Sequence, residues 1–124
     1  MIVGVGLDLT EIPRIDRMIS RWGERFTHKI FTPAERAYSD DRAHPANHYA
    51  ARFAAKEAAL KALGVPEGLR WHELEVVKPA GQRPRLALTG AAQAAADRLG
   101  VVAIHLTISH AANVACAVVI AERE

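Results

Sequence analysis

The chain has 124 residues, 50% of them hydrophobic, and a formal net charge of +2 at pH 7. This length predicts one domain, residues 1–124, with a core large enough to form without disulfide bonds. So small a net charge does not by itself indicate a nucleic acid partner, and none is expected. The start, MIVGVGLDL, lacks a basic segment and has an aspartate within a short apolar run. We therefore expect a cytoplasmic protein with neither a signal peptide nor a membrane span.

The sequence predicts one strand and several helices in the first half and mainly strands in the second. The first half comprises a strand at 2–9, a helix from about Pro13 to Gly23, a short helix opened by a capping box in FTPAE, and a long helix from about Pro45 to Leu63. The second half comprises the strands LEVVK and RLAL, a helix capped by Thr89, and the strands VVAIHLTI and NVACAVVIA separated by SHAA. We expect an α+β fold in which an antiparallel sheet packs against the long helix. Cys116, the one cysteine, is predicted to be a buried, inert thiol.

The long helix carries a carboxylate where an apolar residue is expected. A stripe of small and apolar residues at helical spacing should face the core, and Glu57 lies in the middle of it. The stripe consists of Ala46, Ala50, Phe53, Leu60 and Gly64. Glu57 and Lys61 also have the spacing of an ordinary ion pair on a helix surface, and this stretch alone leaves both interpretations open.

Asp8 presents the same problem on the first strand. It shares a strand face with Gly4 and Gly6, which leave a hollow that another backbone or a ligand can enter. A capping or loop aspartate is the alternative. Two carboxylates among small or apolar neighbours suit Mg²⁺, which takes one or two protein carboxylates and leaves its other positions to water and phosphate. Lys61 would then supply a positive charge for the phosphate.

Ser109 and His110 lie at the end of a predicted strand, where a turn would present them to a ligand. Neighbours on an extended chain point to opposite faces, so a catalytic Ser–His dyad is not expected. The remaining histidines considered, namely His28, His44, His48 and His72, have the pattern of surface or loop residues.

Four arginines recur at helical spacing beside Met18 in the first helix. They are Arg14, Arg17, Arg21 and Arg25. One interpretation is a solvated helix face. The other is a docking surface for an acidic partner, in which arginine supplies forked donors and methionine an adaptable apolar contact.

Four blocks of the sequence resemble the bacterial holo-acyl-carrier-protein synthases of the 4′-phosphopantetheinyl transferase superfamily. The blocks are GVGLDLTEIPRI, FTPAE, RFAAKEAALKALG and ISHAANVACAVV, and they follow the order and spacing of that family over nearly the whole chain. The resemblance implies the phosphopantetheinyl transferase fold. It also implies transfer of 4′-phosphopantetheine from coenzyme A to a serine of apo acyl carrier protein, with release of adenosine 3′,5′-bisphosphate, in fatty acid biosynthesis.

The same resemblance implies roles for individual residues. Asp8 and Glu57 would hold Mg²⁺ with the pyrophosphate of coenzyme A, and Lys61 would approach the phosphates, which makes these three the expected catalytic residues. The residues implied in coenzyme A binding are Arg52, Lys61, Gly64, Ser109 and His110. The residues implied in docking the acidic recognition helix of the carrier protein are Arg14, Met18, Arg21 and Arg25.

The length of the chain, combined with the resemblance, implies an assembly. Larger members of the superfamily carry two such halves in one chain with the site between them, and this chain is about one half. A homotrimer with sites between subunits is therefore expected. Two other classes of function stay open: a coenzyme A-binding module without transfer, and a structural interaction domain in which Glu57 and Lys61 form only a salt bridge. Product formation and metal dependence discriminate among the three.

Overall fold

The computed structural model describes all 124 residues. Its strands are β1 (Ile2–Glu11), β2 (Leu74–Val77), β3 (Arg85–Leu88), β4 (Ala103–Ala111) and β5 (Val114–Glu122). Its α-helices are α1 (Ile12–Trp22), α2 (Glu24–Ile30), α3 (Pro33–Asp40), α4 (Pro45–Ala62) and α5 (Gly90–Arg98), and a 3-10 turn covers Trp71–Glu73. No helix combines the length and the apolar character needed to cross a membrane.

The strands form two antiparallel sheets. The larger has the order β1-β5-β4, so β5 pairs with a strand on each side, and the smaller is the β2–β3 hairpin. Helix α4 packs across the inner face of the larger sheet through an alanine surface that includes Ala54, Ala58 and Ala62. The predicted class, an antiparallel sheet packed against a long helix, is confirmed.

Two glycines of β1 allow the backbone of α4 to contact the strand directly. A Cβ atom at Gly4 would clash with the carbonyl oxygen of Ala62, and one at Gly6 with that of Ala58. The hollow predicted beside Asp8 is therefore occupied by another backbone. This close contact fixes the position of α4 along β1 without an intervening side chain.

A buried ion pair ties α3 and α4 to β2. The Lys56 ammonium lies 2.8 Å from Glu35 Oε1 and donates to the carbonyl oxygens of Trp71 and Leu74 at 2.9 and 3.0 Å. Glu35 also accepts from the backbone N–H groups of Thr32 and Val76, each at 2.8 Å. The predicted capping box is present, since Thr32 Oγ1 accepts from the Glu35 N–H. Glu35 thus serves both the helix cap and the core.

Four details of the fold differ from expectation. The helical arginine pattern is broken at Gly23, so Arg25 lies on α2 and not on α1. SHAA belongs to β4 up to Ala111, and only the turn after it separates β4 from β5. The Thr89 side chain makes no capping hydrogen bond. Cys116 is only half-buried, because alternate residues of β5 point to the outer face of the sheet.

That outer face is apolar and open. Val5, Leu7 and Leu9 of β1 are 59%, 52% and 66% exposed. Their partners on β5 are Ile120, Val118 and Cys116 respectively, and paired residues of antiparallel strands share a face. A contiguous apolar surface of this kind is typical of a protein–protein contact.

Candidate functional site

Asp8 and Lys61 meet where α4 crosses β1. Lys61 Nζ lies 3.3 Å from Asp8 Oδ1 and donates to the Leu7 carbonyl oxygen at 2.8 Å. The hydroxyl of Thr10 donates to Asp8 Oδ2 at 2.7 Å. Both oxygens of Asp8 are therefore held in place, while the Lys61 side chain remains half-exposed and accessible to a ligand.

Glu57 lies beside this pair and makes no salt bridge to Lys61, whose ion pair is with Asp8. The ordinary helix-surface pair between Glu57 and Lys61, one of the two interpretations that the sequence left open, is therefore absent. Burial raises the pKa of Glu57, and the nearby Asp8 carboxylate raises it further, while Lys61 and Arg14 oppose the shift. Two carboxylates close enough to repel each other make a site that favours an added cation. We call Asp8, Glu57 and Lys61 the carboxylate site.

The stripe that contains Glu57 is the margin of α4 and not its core face. Of its members, only Ala50 is buried; Phe53, Glu57 and Leu60 are half-buried, and Gly64 is exposed. The prediction that this stripe faces the core was wrong. The buried face of α4 is rotated by about one residue from the stripe, because the residues that follow Ala50, Phe53 and Glu57 are buried. Glu57 consequently lies where the sheet, α4 and solvent meet.

The side chains of the carboxylate site suit a Mg²⁺ ion that takes only some of its ligands from the protein. No group of three or more His, Cys, Asp or Glu side chains is arranged to hold a metal ion by itself. Mg²⁺ is commonly bound by one or two carboxylates, with its other positions taken by water and substrate phosphates. Asp8 and Glu57 provide two carboxylates beside the Lys61 ammonium, and this combination fits a metal ion bound together with a phosphate.

Arg52 lies on the other side of α4 from Glu57, and His110 lies on β4. Arg52 precedes Glu57 by five residues, which corresponds to an angle of about 140° around the axis of α4. His110 is at the end of β4, separated from β1 by the whole width of β5. Burial and the charge of Arg52 lower the pKa of His48, and Arg42, His110 and His44 contribute to the same shift, so these side chains are neighbours. One chain therefore separates the predicted coenzyme A residues into two groups.

Gly64 and Ser109, the other predicted coenzyme A-binding residues, also lie in different parts of the chain's surface. Gly64 ends α4 at φ 80° and donates its N–H to the Lys61 carbonyl oxygen, which places it beside the carboxylate site. Ser109 pairs with Cys116 and therefore shares the outer, apolar face of the sheet. Ser109 and His110 point to opposite faces, as expected for neighbours on a strand.

The basic residues of α1 and α2 line a groove of about 370 Å³. Its floor includes Ile15, Phe26 and Trp71, and Arg14, Met18 and Arg25 also line it. Arg17 and Arg21 line a neighbouring groove together with Met18. The arginine spacing thus survives the break at Gly23, and Arg14 extends the basic surface to the edge of the carboxylate site.

Several residues near the site were not found from the sequence. Lys56 was not singled out in the sequence, yet its side chain is 0% exposed. His48 was expected at the surface and is instead half-buried against the Tyr38 ring, with ring centroids 5.8 Å apart. Trp71, whose ring lies 5.5 Å from that of Phe53, carried no signal apart from its size. In each case the partner is distant in sequence.

Comparison with known proteins identifies the class of protein. Residues 4–119 match the model of the 4′-phosphopantetheinyl transferase superfamily. A holo-[acyl-carrier-protein] synthase of Anaeromyxobacter sp. (strain K) is 54% identical over 98% of this chain and 97% of its own. The chain therefore belongs to the 4′-phosphopantetheinyl transferase superfamily and, within it, to the holo-[acyl-carrier-protein] synthases.

Solved structures agree with this assignment. The synthase of Neisseria meningitidis is 31% identical, with a TM-score of 0.85 and coverage of 99% of this chain and 100% of that one. The synthase of Helicobacter pylori, in complex with coenzyme A, is 28% identical, with a TM-score of 0.82 and coverage of 95% and 99%. The predicted family and enzyme class are confirmed.

Proposed function

We propose that this protein transfers 4′-phosphopantetheine from coenzyme A to a serine of apo acyl carrier protein, in the cytoplasm and with Mg²⁺, as a step that supplies fatty acid biosynthesis. The observation that carries the proposal is the meeting of Asp8, Glu57 and Lys61 where α4 crosses β1. The membership of the family and the relative bound to coenzyme A support the choice of substrate.

Asp8 and Glu57 are the residues that would hold Mg²⁺. When bound, the ion would neutralise charge that develops on the phosphate oxygens. The hydrogen bond from Thr10 and the ion pair with Lys61 orient the Asp8 carboxylate before any ligand arrives. Burial and the Asp8 carboxylate raise the pKa of Glu57, so a cation bound beside it would favour its charged form.

The transfer is a displacement at the phosphorus that carries the pantetheine arm. The serine oxygen forms a new bond to this phosphorus, the bond to the bridging pyrophosphate oxygen breaks, and adenosine 3′,5′-bisphosphate leaves. Lys61 is placed to stabilise the negative charge on the phosphate oxygens. The serine proton needs an acceptor, and carboxylates are the acceptors that one chain provides at this place, so Glu57 can share that task.

Docking of the carrier protein uses the basic grooves of α1 and α2. An acidic helix placed there is attracted by Arg14, Arg21 and Arg25, and its apolar side chains can pack in the groove lined by Phe26 and Trp71. Because Arg14 is near enough to lower the pKa of Glu57, a partner docked on this surface lies next to the carboxylate site.

The active assembly is a homotrimer in which neighbouring subunits share each site. Two observations support this part of the proposal. Glu57 and Arg52 lie on opposite sides of α4, so a single coenzyme A molecule is contacted most simply by Glu57 of one copy and Arg52 of the next. The exposed apolar face of β1 and β5 offers the surface on which copies associate.

Mass spectrometry of apo acyl carrier protein incubated with the protein, coenzyme A and Mg²⁺ tests the reaction. We expect a mass gain of one phosphopantetheine, and a loss of about 10² or more in rate for Asp8→Asn and for Glu57→Gln. Exposed Arg98→Gln on α5, away from both the carboxylate site and the docking grooves, serves as a matched control and should retain the wild-type rate. Near-normal turnover of Glu57→Gln at limiting Mg²⁺ would show that Glu57 is not a metal ligand.

Mixing inactive chains tests the sharing of sites. Chains carrying Glu57→Gln and chains carrying Arg52→Gln are produced together with different affinity tags, and mixed assemblies are purified. If each site takes Glu57 and Arg52 from different copies, every mixed trimer has one intact site of three, so the purified mixed assemblies should show about a third of the wild-type activity. No recovery in assemblies shown to contain both chains, or an active monomer by sedimentation, would remove the shared-site idea.

Steady-state kinetics separate docking from coenzyme A binding. Reversing charge at Arg21 and Arg25, away from the carboxylate site, should raise KM for the carrier protein, leave KM for coenzyme A nearly unchanged, and reduce the salt sensitivity of the rate. Equal changes in KM for the two substrates would indicate that these arginines only form a solvated helix face.

A further inference from the structure

Thr10 is a buried residue of β1 whose hydroxyl group contacts the carboxylate site. It is 2% exposed, and its Oγ1 donates to Asp8 Oδ2 at 2.7 Å. Residues two apart on a strand share a face, so this contact lies within β1 and depends on no other element. The branched side chain of threonine restricts its χ1 angle, and the strand backbone therefore largely fixes where the hydroxyl lies.

The neighbouring strand offers Asp8 no other polar partner. Asp8 pairs with Ala117 and Thr10 with Ala115, and neither alanine is more than 1% exposed. The inner face of β5 carries only alanine and valine side chains. A buried hydroxyl that loses its acceptor is costly, so a turn of the Asp8 carboxylate away from Thr10 is unfavourable.

The two oxygens of Asp8 consequently face different partners. Oδ2 accepts from Thr10 on the buried side, whereas Oδ1 lies 3.3 Å from Lys61 Nζ. The Lys61 side chain is 48% exposed, so the Oδ1 side is the one that solvent reaches. A cation that approaches Asp8 from solvent meets Oδ1, and it can take Oδ2 as a second ligand only by disturbing the hydrogen bond from Thr10.

Mg²⁺ and Ca²⁺ differ in how they use carboxylate oxygens. Mg²⁺ is the smaller ion and demands a strict octahedral arrangement in which several ligands are usually water. Ca²⁺ takes more oxygen ligands in a flexible arrangement, and it often binds both oxygens of one carboxylate. A carboxylate restricted to one oxygen therefore deprives Ca²⁺ of a ligand that Mg²⁺ does not need.

We propose that Thr10 is a positioning residue that restricts Asp8 to one free oxygen and thereby makes the carboxylate site select Mg²⁺ against Ca²⁺. The binding of a cation by Asp8 and Glu57 rests on the proposed function, whereas the restriction of Asp8 rests on the contacts of Thr10 itself. Removal of the hydroxyl should therefore change the choice of cation and not only the strength of binding.

Displacement of Mn²⁺, followed by its EPR signal, measures this choice on the assembled protein with the metals alone. Mn²⁺ that still binds to Asp8→Asn is subtracted, so that only binding at the carboxylate site is counted. We expect Mg²⁺ to displace Mn²⁺ from the wild type at a concentration about tenfold lower than Ca²⁺ requires. Thr10→Val, which removes the hydroxyl, should bring the two concentrations to within about twofold of each other.

Further variants separate the choice of cation from a purely structural effect. Thr10→Ser keeps the hydroxyl and should retain the wild-type ratio of the two concentrations. Thr89→Val makes the same substitution at an exposed position whose side chain forms no capping hydrogen bond, and it should also retain the ratio. Thr10→Ala removes the same hydroxyl and repeats the test independently of how valine packs. A merely structural role of Thr10 would weaken the binding of both ions alike and leave the ratio unchanged.

The outcomes distinguish this inference from the proposed function. An unchanged ratio in Thr10→Val or Thr10→Ala, a lost preference in Thr10→Ser, or a wild type that binds Ca²⁺ as well as Mg²⁺ overturns the role of Thr10 and leaves the proposed transfer intact. Failure of the wild type to modify any carrier protein overturns the proposed function, and the displacement of Mn²⁺ then still decides whether Thr10 sets the choice of cation.

Discussion

Replacing Lys56 by methionine removes a buried ammonium group whose three protons each have an acceptor. The acceptors are Glu35 Oε1 at 2.8 Å and the carbonyl oxygens of Trp71 and Leu74 at 2.9 and 3.0 Å. Methionine has a similar length and no charge, so the packing volume is nearly preserved while all three hydrogen bonds are lost. The variant thus isolates the electrostatic contribution of the lysine.

The loss should be large because Glu35 remains behind. Its carboxylate is 0% exposed and would keep only its bonds from the Thr32 and Val76 N–H groups. Breaking one partner of a buried pair costs about 3–5 kcal/mol, since it leaves an uncompensated buried charge. We therefore expect Lys56→Met to lower the free energy of unfolding by about 3–5 kcal/mol.

Urea-induced unfolding at pH 7, followed by tryptophan fluorescence, measures this loss. The double variant Lys56→Met/Glu35→Gln removes both charges, and its loss should be smaller than the sum of the two single losses. Exposed Lys29→Met should change the free energy by less than about 0.5 kcal/mol. A loss below about 1 kcal/mol for Lys56→Met, or strict additivity in the double variant, would refute the reasoning.

Three further predictions concern Gly6 on β1, Ala112 in the turn between β4 and β5, and the carboxylate of Glu57. Gly6→Ala would push a methyl group into the Ala58 carbonyl oxygen and should lower the free energy of unfolding by about 3 kcal/mol or more in the same urea assay. Ala112 has φ 53°, so Ala112→Gly should stabilise the fold by about 0.5–1 kcal/mol; a loss of stability would contradict this origin of strain. Because burial and Asp8 raise the pKa of Glu57, its ionisation destabilises the metal-free fold, and Glu57→Gln should raise Tm by about 1–3 °C at pH 7. That gain should vanish as the pH falls below the ordinary glutamate pKa, where Glu57 is protonated in both folded and unfolded states; a gain that persists in acid would point to packing instead.

Local signals allowed most of the elements to be predicted, and the failures have specific causes. The capping box at Thr32 and Glu35 depends on residues three apart, and it was found. The end of α1 at Gly23 was predicted, but α2 was not, and Arg25 was assigned to the first helix because it continues the helical spacing of the arginines. The strand that includes Ser109 and His110 was cut short because small and polar residues also favour turns.

The sequence predicted those features of the candidate site that lie within one strand or one helix, but not the contacts between them. An acidic residue on an otherwise apolar stripe identified Glu57, and two glycines drew attention to Asp8. Spacing did not reveal that Lys61 pairs with Asp8 and not with Glu57, because that choice depends on where β1 crosses α4. Tyr38 and Arg52 are on different helices, so their contact is a property of tertiary packing alone.

The position of β5 in the sheet has a consequence for synthesis of the chain. β1 and β4 pair only with β5, and about 100 residues lie between β1 and β5. At 5–20 residues per second, roughly 5–20 s pass between the appearance of β1 and that of its partner on a ribosome. During this interval Val5, Leu7 and Leu9 have no strand beside them. An apolar strand that waits unpaired is a target for aggregation, so the yield of folded protein should depend on the protection given to these residues during translation.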